Sequence, residues 1–147
     1  MELMTQFQDL GFSAVLALAA VGSALGTGIA GMAAVGAWKK CFAQNKTAPF
    51  MLVVFVGAPL SQTIYGMIVM NTLAAKASSG MFCWGTGIFA GIAIGMSALM
   101  QGKAGAGASD ALAETGKGFG NYIMVLGVIE TVALFVMVFT MMAIGKM

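Results

Sequence analysis

One ionisable side chain, Glu130, stands near the middle of the 28-residue apolar stretch Gly118 to Gly145. Wound as a helix at about 1.5 Å per residue, that stretch can cross a bilayer with room to tilt. A carboxylate at mid-span costs several kcal/mol, so packing does not account for it, and an acid there reads as an ion or proton site. Its partners must be other polar atoms in apolar segments. Ser61, Gln62 and Tyr65 in one segment and Gln101 in another qualify by type. Tyr65 follows Ser61 by four residues and Gln62 by three, so the three share a helix face. Pro59, just before them, has no N–H and frees a backbone carbonyl about one turn earlier. In hydrocarbon that oxygen needs a partner or lines a polar site.

Glu130 with two amide carbonyls, a hydroxyl and a backbone carbonyl would make an all-oxygen shell of the kind a small hard cation takes. Intramembrane sites for Na+ or H+ are built in this way from interrupted helices and side-chain oxygens. A proton carrier needs only a carboxyl that can become neutral, so the extra oxygens favour Na+, with H+ as the alternative. Tyr65 could hold the carboxylate by a hydrogen bond. Each residue also has a plainer reading. Glu130 could be a structural acid, and Gln62 and Gln101 interhelical hydrogen-bonding groups worth about 1 kcal/mol each. Ser61 could bond back to its own helix, and Tyr65 could simply pack.

The chain of 147 residues is 60% hydrophobic and 8% charged, with a mean hydropathy of +0.96. Soluble domains carry about 25% charged residues, so this is a membrane protein made almost wholly of spans. No part looks able to fold as a soluble domain, and ATP chemistry would have to come from partners. The net charge of +2 gives no reason to expect nucleic acid. There is no histidine, which removes the commonest metal ligand and proton relay. Cys41 and Cys83 are too few for a zinc pattern and read as ordinary small residues. The start carries Glu2 and Asp9 in place of a basic n-region, and the apolar run after it is too long for a signal peptide. It reads as a retained first helix.

The expected fold is all-α, four transmembrane helices in two tandem hairpins. Residues 1–76 form the first, with helices over about 10–37 and 48–75; residues 77–147 form the second, with helices over about 81–108 and 118–145. The first helix carries Gly22, Gly26 and Ala30 at i, i+4, i+8, and the third repeats the strip with Gly87, Gly91 and Gly95. Such strips let helix backbones approach closely in lipid, either as an ordinary helix contact or as a tightly curved one within a ring. The halves look duplicated. An offset of 70 aligns Gly57 with Gly127 and Tyr65 with Phe135, and puts Leu60 where the second half has Glu130. The glycine strips align better at 69, so the match is approximate.

Lysine counts set the orientation. Lys39, Lys40, Lys46, Lys103 and Lys117 flank the hairpin turns, against Lys76 and Lys146 on the other side, so the turns are expected in the cytoplasm and both termini outside. The second turn, near Gly116, lies about midway between Gln101 and Glu130, which puts those two at one depth. Ser61 and Gln62 lie about as far from the first turn, near Lys46. Three helices thus bring oxygen-bearing side chains to one level. Lys103 and Asp110 come out deep by the same count, so they must snorkel or face water or protein.

These residues resemble the proteolipids of rotary V-type ATPases, most of all the bacterial sodium-type K subunits. The likeness covers nearly the whole chain. It rests on the P-x-[ST]-Q-x-x-Y-G stretch Pro59 to Gly66, on Gln101-Gly102-Lys103, and on the lone acid of the fourth helix. The resemblance implies a non-catalytic rotor subunit of an ATP-hydrolysing complex, with identical copies in a membrane ring. The glycine-rich first and third helices would line the inner wall and the second and fourth the outer wall. It implies a stator subunit of the a/I type with an arginine that releases the ion, central-stalk subunits, and a bacterial plasma membrane. By motif, the ligands of Na+ (or the partners of H+) are Glu130, Gln101, Gln62, the Ser61 hydroxyl and the Ala58 carbonyl, with Tyr65 hydrogen-bonded to the glutamate; no organic cofactor is implied. Ser61 stands where sodium-type relatives commonly have Thr, and Ala58 where Leu is usual; the hydroxyl and the backbone oxygen are kept. Two other readings compete. A small four-helix exporter coupled to protons would need a substrate cavity, which close-packing glycine strips disfavour. A purely structural proteolipid leaves the level polar residues unexplained.

Overall fold

In the computed structural model, residue 7 and residues 9–147 are described; Glu2, counted above in the N-terminal region, lies outside them. Every element among the described residues is helical: α1 (Leu10–Ala43), α2 (Leu52–Gly57), a 3-10 turn (Ala58–Leu60), α3 (Ser61–Ser78), α4 (Trp84–Thr115) and α5 (Phe119–Gly145). With α2 and α3 taken together as Leu52–Ser78, four helices are long and apolar enough to cross a membrane, which makes this an integral, multi-pass membrane protein.

The elements are longer or shifted relative to the boundaries read from hydropathy. α1 does not stop near residue 37 but runs on through Trp38-Lys39-Lys40 to Ala43. Hydropathy falls there, yet these residues are sound helix formers, and the helix yields only where Asn45 takes a left-handed φ of 51°. The Trp38 indole N–H then donates to the Pro49 carbonyl (2.8 Å), tying the connection back onto α1. The second span begins at Leu52 rather than 48, because Pro49 and its neighbours form the connection. α4 begins at Trp84 rather than 81 and continues to Thr115, since the polar stretch beyond Ala108 is still helical. Gly116 (φ 65°) and Gly118 (φ 88°) make the reversal into α5, a conformation open to glycine without a steric penalty.

The two glycine strips pack on each other within one chain. A Cβ on Gly22 would meet the Gly95 backbone, and one on Gly26 or Gly87 would meet the carbonyl of Ala98 or Gly11. One on Gly91 would lie 2.9 Å from the Val15 Cα, and one on Gly95 2.5 Å from the Leu18 carbonyl. The contacts advance together along both helices, so α1 and α4 run parallel, backbone to backbone. Gly102 extends the strip against Gly26, and Gly66 brings α3 onto Ala19 of α1.

Two apolar clusters flank this spine. One gathers Val15, Ala19, Val69, Leu73, Ala90, Ile94, Ala133 and Ile144. The other gathers Ala34, Ala37, Leu52, Phe55, Ala108, Leu112 and Leu126, with the Phe55 ring tilted against that of Phe119 at 5.5 Å between ring centres. Buried Gln62 and Gln101 belong to the layer between them. α5 is the least buried helix and turns Met124, Val128, Val132, Phe135, Phe139 and Met142 outward. In a bilayer those side chains meet lipid or another protein, as apolar outer faces do.

Candidate ion site

Local backbone chemistry shapes the second span at the site. Pro59 cannot donate to Phe55, and the helix tightens to a 3-10 turn over Ala58–Leu60 before resuming at Ser61. The carbonyl freed by the proline, that of Phe55, does not line the polar layer. It lies against α4, where a Cβ on Gly105 would come within 2.9 Å of it. The carbonyl that reaches the polar layer is that of Ala58, which receives the Ser61 backbone N–H and lies 3.1 Å from the Ser61 hydroxyl.

From Ala58 a chain of short contacts leads to Glu130. Ser61 Oγ is 3.1 Å from the Ala58 carbonyl oxygen and also 3.1 Å from Gln62 Oε1. One hydroxyl proton serves one acceptor at a time, so three oxygens crowd together around a single hydrogen. Gln62 Nε2 donates to Gln101 Oε1 at 2.8 Å, with both side chains fully buried. Gln101 Nε2 donates to the Leu126 carbonyl (3.0 Å) and to Glu130 Oε2 (3.3 Å). On the other carboxylate oxygen, Oε1, the Tyr65 hydroxyl donates at 2.6 Å, the short distance of a charge-assisted bond.

All six residues singled out from the sequence, Ala58, Ser61, Gln62, Tyr65, Gln101 and Glu130, therefore meet in one network across the second, third and fourth spans. Ser61 does bond back to its own helix, and it touches Gln62 as well. Tyr65 is not mere packing, since its hydroxyl holds the carboxylate. Glu130 itself is only partly buried, on the flank where α5 meets α3. Gly22, Gly26, Gly87, Gly91 and Gly95 lie in the α1–α4 spine, where an added Cβ would meet first the backbone of the facing helix.

Lys103 and Asp110 are exposed on α4, away from the buried layer. Lys40 and Glu114 make a long surface ion pair at 3.9 Å, of the kind that contributes little. Among the described residues, no three His, Cys, Asp or Glu side chains cluster; the polar side-chain atoms that gather at Glu130 are oxygens and amide nitrogens. One member was missed in the sequence. Ser97 donates across the helix boundary to the Ile129 carbonyl at 2.9 Å. Its place one turn before Gln101, on the same face of α4, was the available signal.

Residues 80–143 match the family model of the ATP synthase C subunits. The match spans α4 and all but the end of α5, including Gln101 and Glu130, and is somewhat under half of the chain. No curated protein matches the chain.

Proposed function

We propose that this chain is the ion-carrying rotor subunit of a rotary ATPase of the V type, akin to the sodium-type K subunits. Identical copies form a ring in the membrane, and each carries one cation at Glu130 past a stator subunit whose arginine releases it. ATP hydrolysis in a separate soluble head turns the ring through a central stalk. The rotor subunit itself has no catalytic role. The observation that carries this reading is the convergence on Glu130 of Tyr65 from the second span and Gln101 from the third, with Gln62 behind them. The match of the second hairpin to the family of ATP synthase C subunits supports it independently.

Na+ is the proposed cargo. Ser61 Oγ, Gln62 Oε1 and the Ala58 carbonyl supply crowded neutral oxygens, and Glu130 supplies the charge. Gln101 adds its amide oxygen when its terminal group turns over. A second reading, H+ as cargo, has its own observation: Gln101 presents N–H, not oxygen, to Glu130 and anchors that face on the Leu126 carbonyl. A carboxyl held by a tyrosine and an amide needs no further ligands to exchange a proton. The exporter reading fits worse, because the middle of the molecule is filled backbone to backbone by α1 and α4.

The deciding experiment is carbodiimide labelling of the purified oligomer, with bound radioactive Na+ measured in parallel. Labelling at Glu130 that Na+ suppresses, with Na+ binding abolished by the label, is the expected result. Labelling that responds to pH alone would assign the cargo to H+, and an unreactive Glu130 would remove the site.

A further inference from the structure

α5 has few fully buried residues. They are Leu126, Ala133 and Ile144; the half-buried apolar side chains that pack beside them, Phe119, Tyr122, Ile123, Val136, Met137 and Met141, lie before Leu126 or after Ala133. Between Leu126 and Ala133, where Glu130 stands, no other residue of α5 is buried. Two polar bonds tie this stretch to α4. The buried Ser97 hydroxyl donates to the Ile129 carbonyl (2.9 Å), and Gln101, one turn further along α4, donates to the Leu126 carbonyl (3.0 Å). Leu126 and Ile129 precede Glu130 by four residues and one, so both carbonyls belong to the turn that ends at the carboxylate.

We propose that Ser97 is a positioning residue for Glu130: with Gln101 it pins that turn of α5 and thereby sets how tightly the site holds its cation. This rests on Glu130 being the ion carrier. Two bonds from one helix to two points on another fix height and rotation together. Slipping α5 by one residue turns it by about 100° and breaks both. The threonine hydroxyls of three helices behave differently. Thr72, Thr115 and Thr131 bond carbonyls of their own helices at Ile68, Ala111 and Val128, the usual habit of a hydroxyl in a helix. Ser97 instead reaches across to a carbonyl that already lies inside the α5 helix. That carbonyl is not stranded without it, and one such bond between membrane helices adds little stability. What the bond fixes is geometry, and a binding constellation loses affinity when its backbone is free to wander.

The test compares the wild-type oligomer with Ser97→Ala and Ser97→Thr. The readouts are the mass of the detergent-stable oligomer, the total carbodiimide labelling of Glu130, and the Na+ concentration that halves the labelling rate. The expected result for Ser97→Ala is unchanged mass and labelling capacity with a half-protecting Na+ concentration raised about threefold to tenfold. Ser97→Thr, which keeps the hydroxyl, should return it toward the wild-type value. Identical protection in wild type and Ser97→Ala overturns the inference, and so does loss of the oligomer in Ser97→Ala, which would make the residue structural. If protons and not Na+ protect the wild type, the Na+ reading fails separately, and the same comparison is decided on the half-protecting pH.

Discussion

The carboxylate of Glu130 is held from two sides by different chemistry, and this gives its partners different weights. Tyr65 makes the shorter bond, at 2.6 Å, to one oxygen; Gln101 makes a longer one, at 3.3 Å, to the other. A hydrogen bond to a charged group contributes about 1.5–3 kcal/mol. Tyr65→Phe removes that bond and keeps the ring, so it should weaken cation protection of Glu130 about tenfold or more while leaving the oligomer intact. Gln62→Leu is expected to act differently. It strips the donor from Gln101 Oε1 and one oxygen from the crowded trio, so a Na+ site should lose nearly all binding, whereas a proton site should keep titrating. Binding of radioactive Na+ and the pH dependence of labelling distinguish the two. The sequence made Gln62, Gln101 and Glu130 legible because polar atoms in apolar spans need a reason to be there. It did not make Ser97 legible, because a lone serine in a helix most often bonds its own backbone. Nor could it show which amide face meets the carboxylate, since either face of a glutamine satisfies the same spacing.

At the scale of the helices, α1 and α4 form a spine whose tolerance differs sharply between glycines. Gly22 has no room for a side chain, because a Cβ there would meet the Gly95 backbone, which cannot move aside as a flexible side chain would. Gly28, less than two turns on, has nothing within 4 Å. Gly22→Val should therefore force the two helices apart, at about 1–3 kcal/mol or more, and lower the yield and thermal stability of the solubilised protein. Gly28→Val should leave the fold of a single copy untouched. Equal behaviour of the two variants in a thermal melt would contradict this packing. The i+4 spacing of Gly87, Gly91 and Gly95 disclosed a close-packed face in the sequence, but not its partner, since spacing defines a face and not what meets it. The structure pairs that face with the first helix of the other hairpin. α1 and α4 run past the ends that hydropathy marks for a related reason: hydropathy marks where lipid contact can end, whereas backbone hydrogen bonding continues through Lys40 and Asp110.

For the whole molecule, the polar contacts of the site and the apolar outer surface are made by different side chains, although Ser61, Tyr65 and Glu130 are themselves only partly buried. The polar contacts to Glu130 come from the same chain: Tyr65 on α3 and Gln101 on α4, with Gln62 and Ser61 behind them. Much of the outward surface is alkyl and aromatic, with Leu25, Met32, Ile92, Met96, Leu60 and Ile64 among its side chains, together with the outer face of α5. If copies of this chain assemble through those surfaces, assembly does not depend on the acid. Glu130→Gln keeps the volume and offers Tyr65 an amide oxygen as acceptor, so the turn of α5 remains tethered. It removes the negative charge that would stand against a bound cation. The expected outcome is an oligomer of unchanged mass by native mass spectrometry that binds no Na+, does not react with carbodiimide, and supports no ion transport when reconstituted with the rest of its complex. An oligomer that falls apart would mean that the carboxylate bridges neighbouring copies, and a variant that still pumps would mean that the cargo passes elsewhere. A mass of one or two copies in the wild type would favour the exporter over the rotor.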